Sequence, residues 1–284
     1  MARNINKVES LAEGVPFLTL SDARWLGVAV VAMPDAPYGS ILGYGYQYDP
    51  QGNIILNSSS LTPLVSEERQ LLGQGTFKWT GGLYTSMNYK NFGLTAIVDM
   101  KLGADLFSMS NLFAATRGSL TSTLEGREEW IQSEEERLAA GATEDEWLAM
   151  GKVRGYVPQG VVQTGTDDKG NPIYTPNTQA VDPSLYWSNI YTDGDGIAIP
   201  YLYDAGYFKM REITLSYRVP GSLVSQWGIQ DLSIAVVSRN PFIIYKSVPN
   251  IDPDSNYNNS NGQGLEYGSL PSRRSWGINL NFRF

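Results

Sequence analysis

The 284-residue sequence contains no cysteine and no histidine. Thiolate chemistry, disulfides, Cys/His metal sites, imidazole acid–base catalysis and every histidine-based triad are thereby excluded. Catalysis would fall to carboxylates, Lys, Tyr, Ser or Thr, and no arrangement demands it, so the expectation is a non-enzyme with no catalytic residue, cofactor or metal. Asp252, Asp254 and Asn256 alternate like part of a calcium loop. The Gly and distal Glu of an EF-hand are out of register, so the segment reads as a turn.

Long apolar runs are also missing. The best, Trp25 to Met33, stops at Pro34, well short of the ~18 residues a membrane helix needs. This excludes a helical membrane protein but not a barrel, whose alternating strands leave average hydropathy near that of soluble proteins. No basic-plus-apolar export signal opens the chain, which implies a protein that stays inside or one piece of a longer polypeptide. Positive charge is scarce: the net is -8, and Glu125 to Glu146 holds nine acidic and two basic residues. Nucleic acid, which needs a basic stripe, is an unsuitable partner. The acidic run reads as the wet face of helices.

What is abundant is glycine (29) and tyrosine (17), fitting many strands and turns. In the closing stretch from Ser272 to Phe284, Trp276, Ile278, Leu280, Phe282 and Phe284 alternate with Gly277, Asn279, Asn281 and Arg283. Period two gives one apolar and one polar face. The apolar face looks inward in a soluble sheet and outward to lipid in an outer-membrane barrel, and the pattern alone does not choose. About thirteen residues at roughly 3.3 Å, tilted by about 45°, rise about 30 Å, close to a hydrocarbon thickness.

Earlier strands read less evenly. Ala23 to Met33, Ser40 to Tyr48 and Asn53 to Leu56 look like short strands, the last two joined by a turn at Asp49-Pro-Gln-Gly52. Leu83 to Tyr89 and Phe92 to Met100 alternate, Ile97 excepted, and meet in a hairpin at Lys90-Asn91. Residues 103–205 offer no convincing strand. Instead, Ser133-x-x-Glu136 and Thr143-x-x-Glu146 match capping boxes, Gly141 suits a helix C-cap, and 182–191 reads as a short aromatic helix. Alternation resumes at 212–219 and 231–236, with a Pro220-Gly221 turn between, and 246–271 is a second long loop rich in Asn, Gly and Ser. Long connections thus alternate with short ones, as in outer-membrane barrels with short periplasmic turns and long outside loops.

Several segments carry a resemblance: Tyr203-Asp-Ala-Gly-Tyr-Phe-Lys-Met-Arg-Glu-Ile-Thr-Leu-Ser-Tyr217, Arg239-Asn-Pro-Phe242, Asn250-Ile-Asp-Pro253 and Gly262-Gln-Gly-Leu-Glu-Tyr-Gly-Ser-Leu-Pro-Ser272. Trp79-Thr-Gly-Gly82, Tyr89-Lys-Asn-Phe92, Thr123-Leu-Glu-Gly-Arg127 and Arg3-Asn-Ile-Asn-Lys-Val8 add to it. In order and spacing they resemble the C-terminal segment of the SusC/RagA family of TonB-linked outer-membrane transporters. The resemblance implies an antiparallel transmembrane β-barrel of about 22 strands, of which this chain supplies about five passes and part of a sixth. Residues 12–78 would be rich in exterior loops, 79–102 the hairpin, 103–205 a long extracellular loop with short helices, and 206–284 the final strands. The plug and TonB-contacting segment are not in this sequence, so the chain would be a fragment or one piece of a split barrel.

On that reading Thr214, Ser216, Arg218, Asp231, Ser233, Asn279, Asn281 and Arg283 face the lumen. Leu215, Tyr217, Leu232, Ile234, Trp276, Ile278, Leu280 and Phe282 face lipid. Phe284 carries the barrel-assembly signal, and Tyr186, Trp187, Tyr191 and Tyr201 are candidate loop contacts for ligand or partner. The implied partners are the rest of the barrel and plug, a SusD-like surface lipoprotein, TonB, the lipid bilayer, and an oligosaccharide or peptide substrate. The alternative is a soluble or surface-attached β-sandwich that binds glycans through the same loop aromatics.

Overall fold

The computed structural model describes residues 1–23, 27–190, 196–254 and 262–284. In chain order, β1 (Ala2–Arg3) opens a large sheet, and the chain leaves it for β2 (Leu18–Asp22), β3 (Ala29–Ala32), β4 (Ser40–Gly43), β5 (Ile55–Leu56) and β6 (Gln70–Gln74). It returns as the hairpin β7 (Trp79–Tyr89) and β8 (Phe92–Leu102). A second excursion contains β9 (Asp105–Ser108), α1 (Met109–Thr116), α2 (Arg127–Ala140), α3 (Glu144–Ala149), β10 (Val161–Thr166), β11 (Pro172–Pro176), α4 (Pro183–Asn189) and β12 (Leu202–Asp204). Then β13 (Tyr207–Val219), the single-turn α5 (Gly221–Val224) and β14 (Asp231–Lys246) follow. A third excursion carries β15 (Leu265–Glu266) before β16 (Ser275–Arg283).

The large sheet is antiparallel throughout, in the order β1-β7-β8-β13-β14-β16. It has five long strands and one short one among the described residues. The hairpin turn falls at Lys90-Asn91, with Lys90 at φ 52°. Short connections gather at one end of the sheet, where Tyr89, Phe92 and Tyr217 share a row and Asp231 stands opposite Arg283. All three excursions leave from the other end.

There they fold together into a cap. Three small sheets, β2-β3-β4-β6, β11-β10-β5 and β12-β9-β15, surround a core that includes Val30, Ile41, Phe107, Leu112, Tyr186, Tyr201 and Leu265. The expectation that 103–205 holds only loop and short helices is corrected, since β9 to β12 lie within it. For β9 the reason is burial on both faces: Leu106 and Phe107 are 1% and 0% exposed, and a strand with no wet side shows no alternation. β10 and β11 are mostly exposed and carry Gly165, Pro172 and Pro176, residues that count against a strand. β3, Ala-Val-Val-Ala, lies within the strand read at Ala23 to Met33 and is buried at every position.

Helix ends follow local chemistry. Thr143 and Glu146 form the reciprocal capping box before α3, and Gly141 ends α2 at φ 65°. Asp182 caps α4, whose first residue is Pro183. The second expected box is corrected. Ser133 lies inside α2, where its buried Oγ accepts from Trp147 Nε1 and Arg154 N, both at 3.1 Å, and so pins α3 to α2. Gly75 and Gly264 mark where two excursions touch: a Cβ on Gly75 would meet the Gln263 carbonyl oxygen at 2.0 Å, and Gly264 has φ 110°. Only glycine fits there.

Candidate functional site

Register decides which side chains share a face of the large sheet. Leu215, Val236 and Ile278 stand in one row, Tyr217, Ile234 and Leu280 in the next, and Leu232 is opposite Phe282. The rows continue through Leu94 and Phe92 on β8 to Met87 and Tyr89 on β7. Phe92 and Tyr217 touch with ring centroids 4.8 Å apart. Trp276 sits opposite Ser238 on this face. All eight residues expected to face lipid are therefore on one side. That side is bare: Ile278 is 71%, Leu280 53% and Leu215 52% exposed. Monomeric soluble proteins rarely leave so continuous an apolar surface uncovered.

The opposite face gathers the eight residues expected to line a lumen. Arg218, Ser233 and Asn281 form one row, Ser216, Ala235 and Asn279 another, and Thr214 shares its row with Val237 and Gly277. Arg218 reaches Asp231 at 3.2 Å, and Asn281 Nδ2 donates to Ser233 Oγ at 3.4 Å. The register shifts between Met210 and Glu212, placing Arg211 against Asn240 and Pro241, which lacks an N–H to pair. This bulge changes parity. Tyr207, Lys209 and Arg211 below it and Glu212, Thr214, Ser216 and Arg218 above it then share the polar face.

At the bulge, near the cap, lies a charged cluster. Lys209, 1% exposed, donates to Asp252 Oδ2 at 2.8 Å, to Asp254 Oδ2 at 2.9 Å and to Ser272 Oγ. The Arg211 guanidinium pairs with Asp99 of β8 at 2.6 Å and with Asp254, while the Tyr207 hydroxyl also donates to Asp254. Burial pushes the Asp252 and Asp254 carboxyls upward, but bonds donated by Lys209 and Ser272 to the first, and by Arg211, Tyr207 and Lys209 to the second, hold both below the usual carboxylate range. The turn read at Asp252 and Asp254 is thus the clasp that ties the third excursion to the sheet. A second buried carboxylate, Glu266, accepts from Ser108 Oγ and Ser110 Oγ, both at 2.8 Å, and from the backbone of Gly268. Sequence reasoning missed these roles. The available signal was that Lys209, Asn240, Asp252, Glu266 and Ser272 come one or two each from the four segments that carried the resemblance.

The candidate loop contacts fare differently. Tyr186 and Tyr201 are 6% and 3% exposed and belong to the cap core, so the expectation that they meet ligand or partner is corrected. Their rings were needed to fill a core made of short strands. Tyr186 packs on Tyr156 and Trp187 with centroids at 4.7 and 5.3 Å, and burial pushes neighbouring Tyr46 up to about 12. Trp187 is half-buried on the wall of a cavity of about 410 Å³ shared with Trp130. Tyr191 and Asn256 lie outside the described residues. Phe284 is exposed and stacks on Phe282 at 6.4 Å. Among the described residues no carboxylate cluster could hold a metal ion, and no helix is long and apolar enough to cross a membrane.

No family model matches the chain. Over its whole length it is 22% identical to TonB-dependent receptor P3 of Formosa agariphila, covering 26% of that protein. In fold it matches the RagAB peptide importer in its closed-closed state, with a TM-score of 0.53 at 12% identity over 96% of this chain and 25% of that one. The open-open state of the same importer gives 0.52 at 12% identity, over 98% of this chain and 25% of that one. The chain spans about a quarter of the length of each. The resemblance carried by the motifs is borne out by both comparisons, and the proteins matched are a receptor and an importer, not enzymes.

Proposed function

We propose, taking the likeness to SusC/RagA-type transporters as premise, that this chain forms the C-terminal part of a TonB-dependent importer barrel in the outer membrane of a Gram-negative bacterium. The observation that supports this best is the bare apolar face backed by a polar one, on strands long enough to cross hydrocarbon. Lipid covers the first face and the lumen wets the second. The cap is then outside the cell, the turns at Lys90-Asn91 and Pro220–Gln230 are periplasmic, and other strands complete the barrel around a plug. The imported solute is an oligosaccharide or a peptide, a SusD-like lipoprotein works with the cap, and TonB acts through parts other than these residues. A glycan-binding sandwich needs Ile278, Leu280 and Phe282 packed under a second layer, and they are exposed.

Adjacent residues of β16 test the assignment. Leu280→Arg should cost about 2 to 4 kcal/mol if its side chain sits near the bilayer midplane, whereas Asn279→Arg should be tolerated. Heat-modifiable folded protein in outer-membrane fractions reads the difference. Equal tolerance of both variants, or protein that is monodisperse without detergent, would sink the proposal.

A further inference from the structure

A groove of about 300 Å³ opens on the cap between α2, α3 and α4. Its floor is apolar, with Trp147 buried, Trp130 half-buried, and Leu148 and Leu185 43% and 59% exposed. Its rim carries Glu144 and Asp145 at the start of α3. Two of the three basic side chains around it are ion-paired, and the third, Lys152, keeps its charge against the floor. Arg137 holds Glu134 at 2.7 Å and the Ala142 carbonyl at 2.9 Å, Arg154 holds Glu136 at 2.8 Å, and Lys152 lies over the Trp147 ring at 4.8 Å. Among the described residues Glu144 and Asp145 make no ion pair within 4 Å, Arg137 acting on Glu144 only at longer range. They belong to the Glu125 to Glu146 stretch, nine acidic residues against two basic, so the local field draws cations toward the groove.

We propose that this groove is a subsite for short cationic peptides, taking an apolar side chain onto the indole and leucine floor and a neighbouring lysine or arginine against Glu144 and Asp145. Charge complementarity selects the cation, and about 300 Å³ takes one or two side chains of a short peptide. The polar rim and apolar floor divide the ligand as small binding sites usually do, orientation from the charges and affinity from the buried surface. The inference rests on the transporter reading only in treating the cap as the surface that meets solutes first.

The test is fluorescence anisotropy with the protein purified in detergent from its own membrane, using a labelled peptide of alternating leucine and lysine. Its glutamate-for-lysine counterpart and a neutral maltohexaose serve as competitors. The lysine peptide should bind, and Glu144→Gln with Asp145→Asn should weaken it about fivefold to tenfold, the size of two exposed charge pairs. Leu185→Ala should weaken it independently. The paired change Glu128→Gln with Glu129→Gln removes the same net charge away from the groove and should leave binding within about twofold. Equal loss in both charge pairs, absence of binding, or displacement by maltohexaose would each overturn the proposal. None of these bears on the barrel assignment, which the arginine scan of β16 tests separately.

Discussion

Lys209, at 1% exposure, is the cation paired with Asp252, and its removal leaves that buried carboxylate charged and dry while Asp254 keeps Arg211. Lys209→Met should therefore destabilise the attachment of the third excursion by about 3 to 5 kcal/mol. Limited proteolysis within 247–274 should reveal this, with the β7–β8 hairpin still protected. The same clasp sets a pH dependence. Asp252 and Asp254 have lowered pKa values when folded, so their stabilisation is present above the unfolded value of about 3.9 and is lost as pH falls through the folded values below it. Melting of the cap should stay flat from pH 7 to about 5 and fall only below about 4. A transition already under way near pH 6 would mean that the clasp does not carry the attachment.

Among the elements, the contrast between large sheet and cap shows what a sequence can and cannot disclose. β7, β8, β13, β14 and β16 were legible because each has one apolar and one polar face, and Thr143 and Asp182 announced the helices that they cap. In the cap, β3, β4 and β5 fall within the short strands read at 23–33, 40–48 and 53–56, whereas β9 and β15 were not legible, because Leu106, Phe107 and Leu265 are buried from every side and leave no periodic mark. Ser133 misled for a related reason: the spacing of a capping box is there, but the serine serves a tertiary contact to Trp147. The clasp escaped notice because its members lie far apart in sequence, Asp99 and Asp254 meeting on Arg211 across more than a hundred residues. Packing between excursions gives its own prediction. Gly75→Ala places a methyl group against Gln263 and Gly264 backbone that has no flexible end to move, so it should cost about 1 to 3 kcal/mol. Earlier thermal release of cap fragments by protease, with β16 variants of the sheet unaffected as control, would show it.

At the scale of the molecule the decisive fact is that, among the described residues, β1 and β16 each have a neighbour on one side only within the sheet. Each unpaired backbone group on such an edge costs several kcal/mol in hydrocarbon, where no water can satisfy it. A membrane-facing sheet with two bare edges is therefore untenable alone, and the proposed barrel must bring a strand to each. Completion depends on β16 being whole. Phe282 stands opposite Leu232 and Arg283 opposite Asp231, where β14 enters the sheet, and Phe282 stacks on Phe284. Deleting Phe282 to Phe284 removes the last rungs of this ladder, the outermost apolar pair and the residue proposed as assembly signal. In the native outer membrane the deletion should lower heat-modifiable folded protein severalfold, while Phe284→Leu, which keeps an apolar side chain, separates the contribution of the aromatic ring from that of the rungs. If the truncated protein accumulates folded at normal levels, neither closure nor recognition runs through this end of β16, and the free edge must be met by some other means than pairing along its full length.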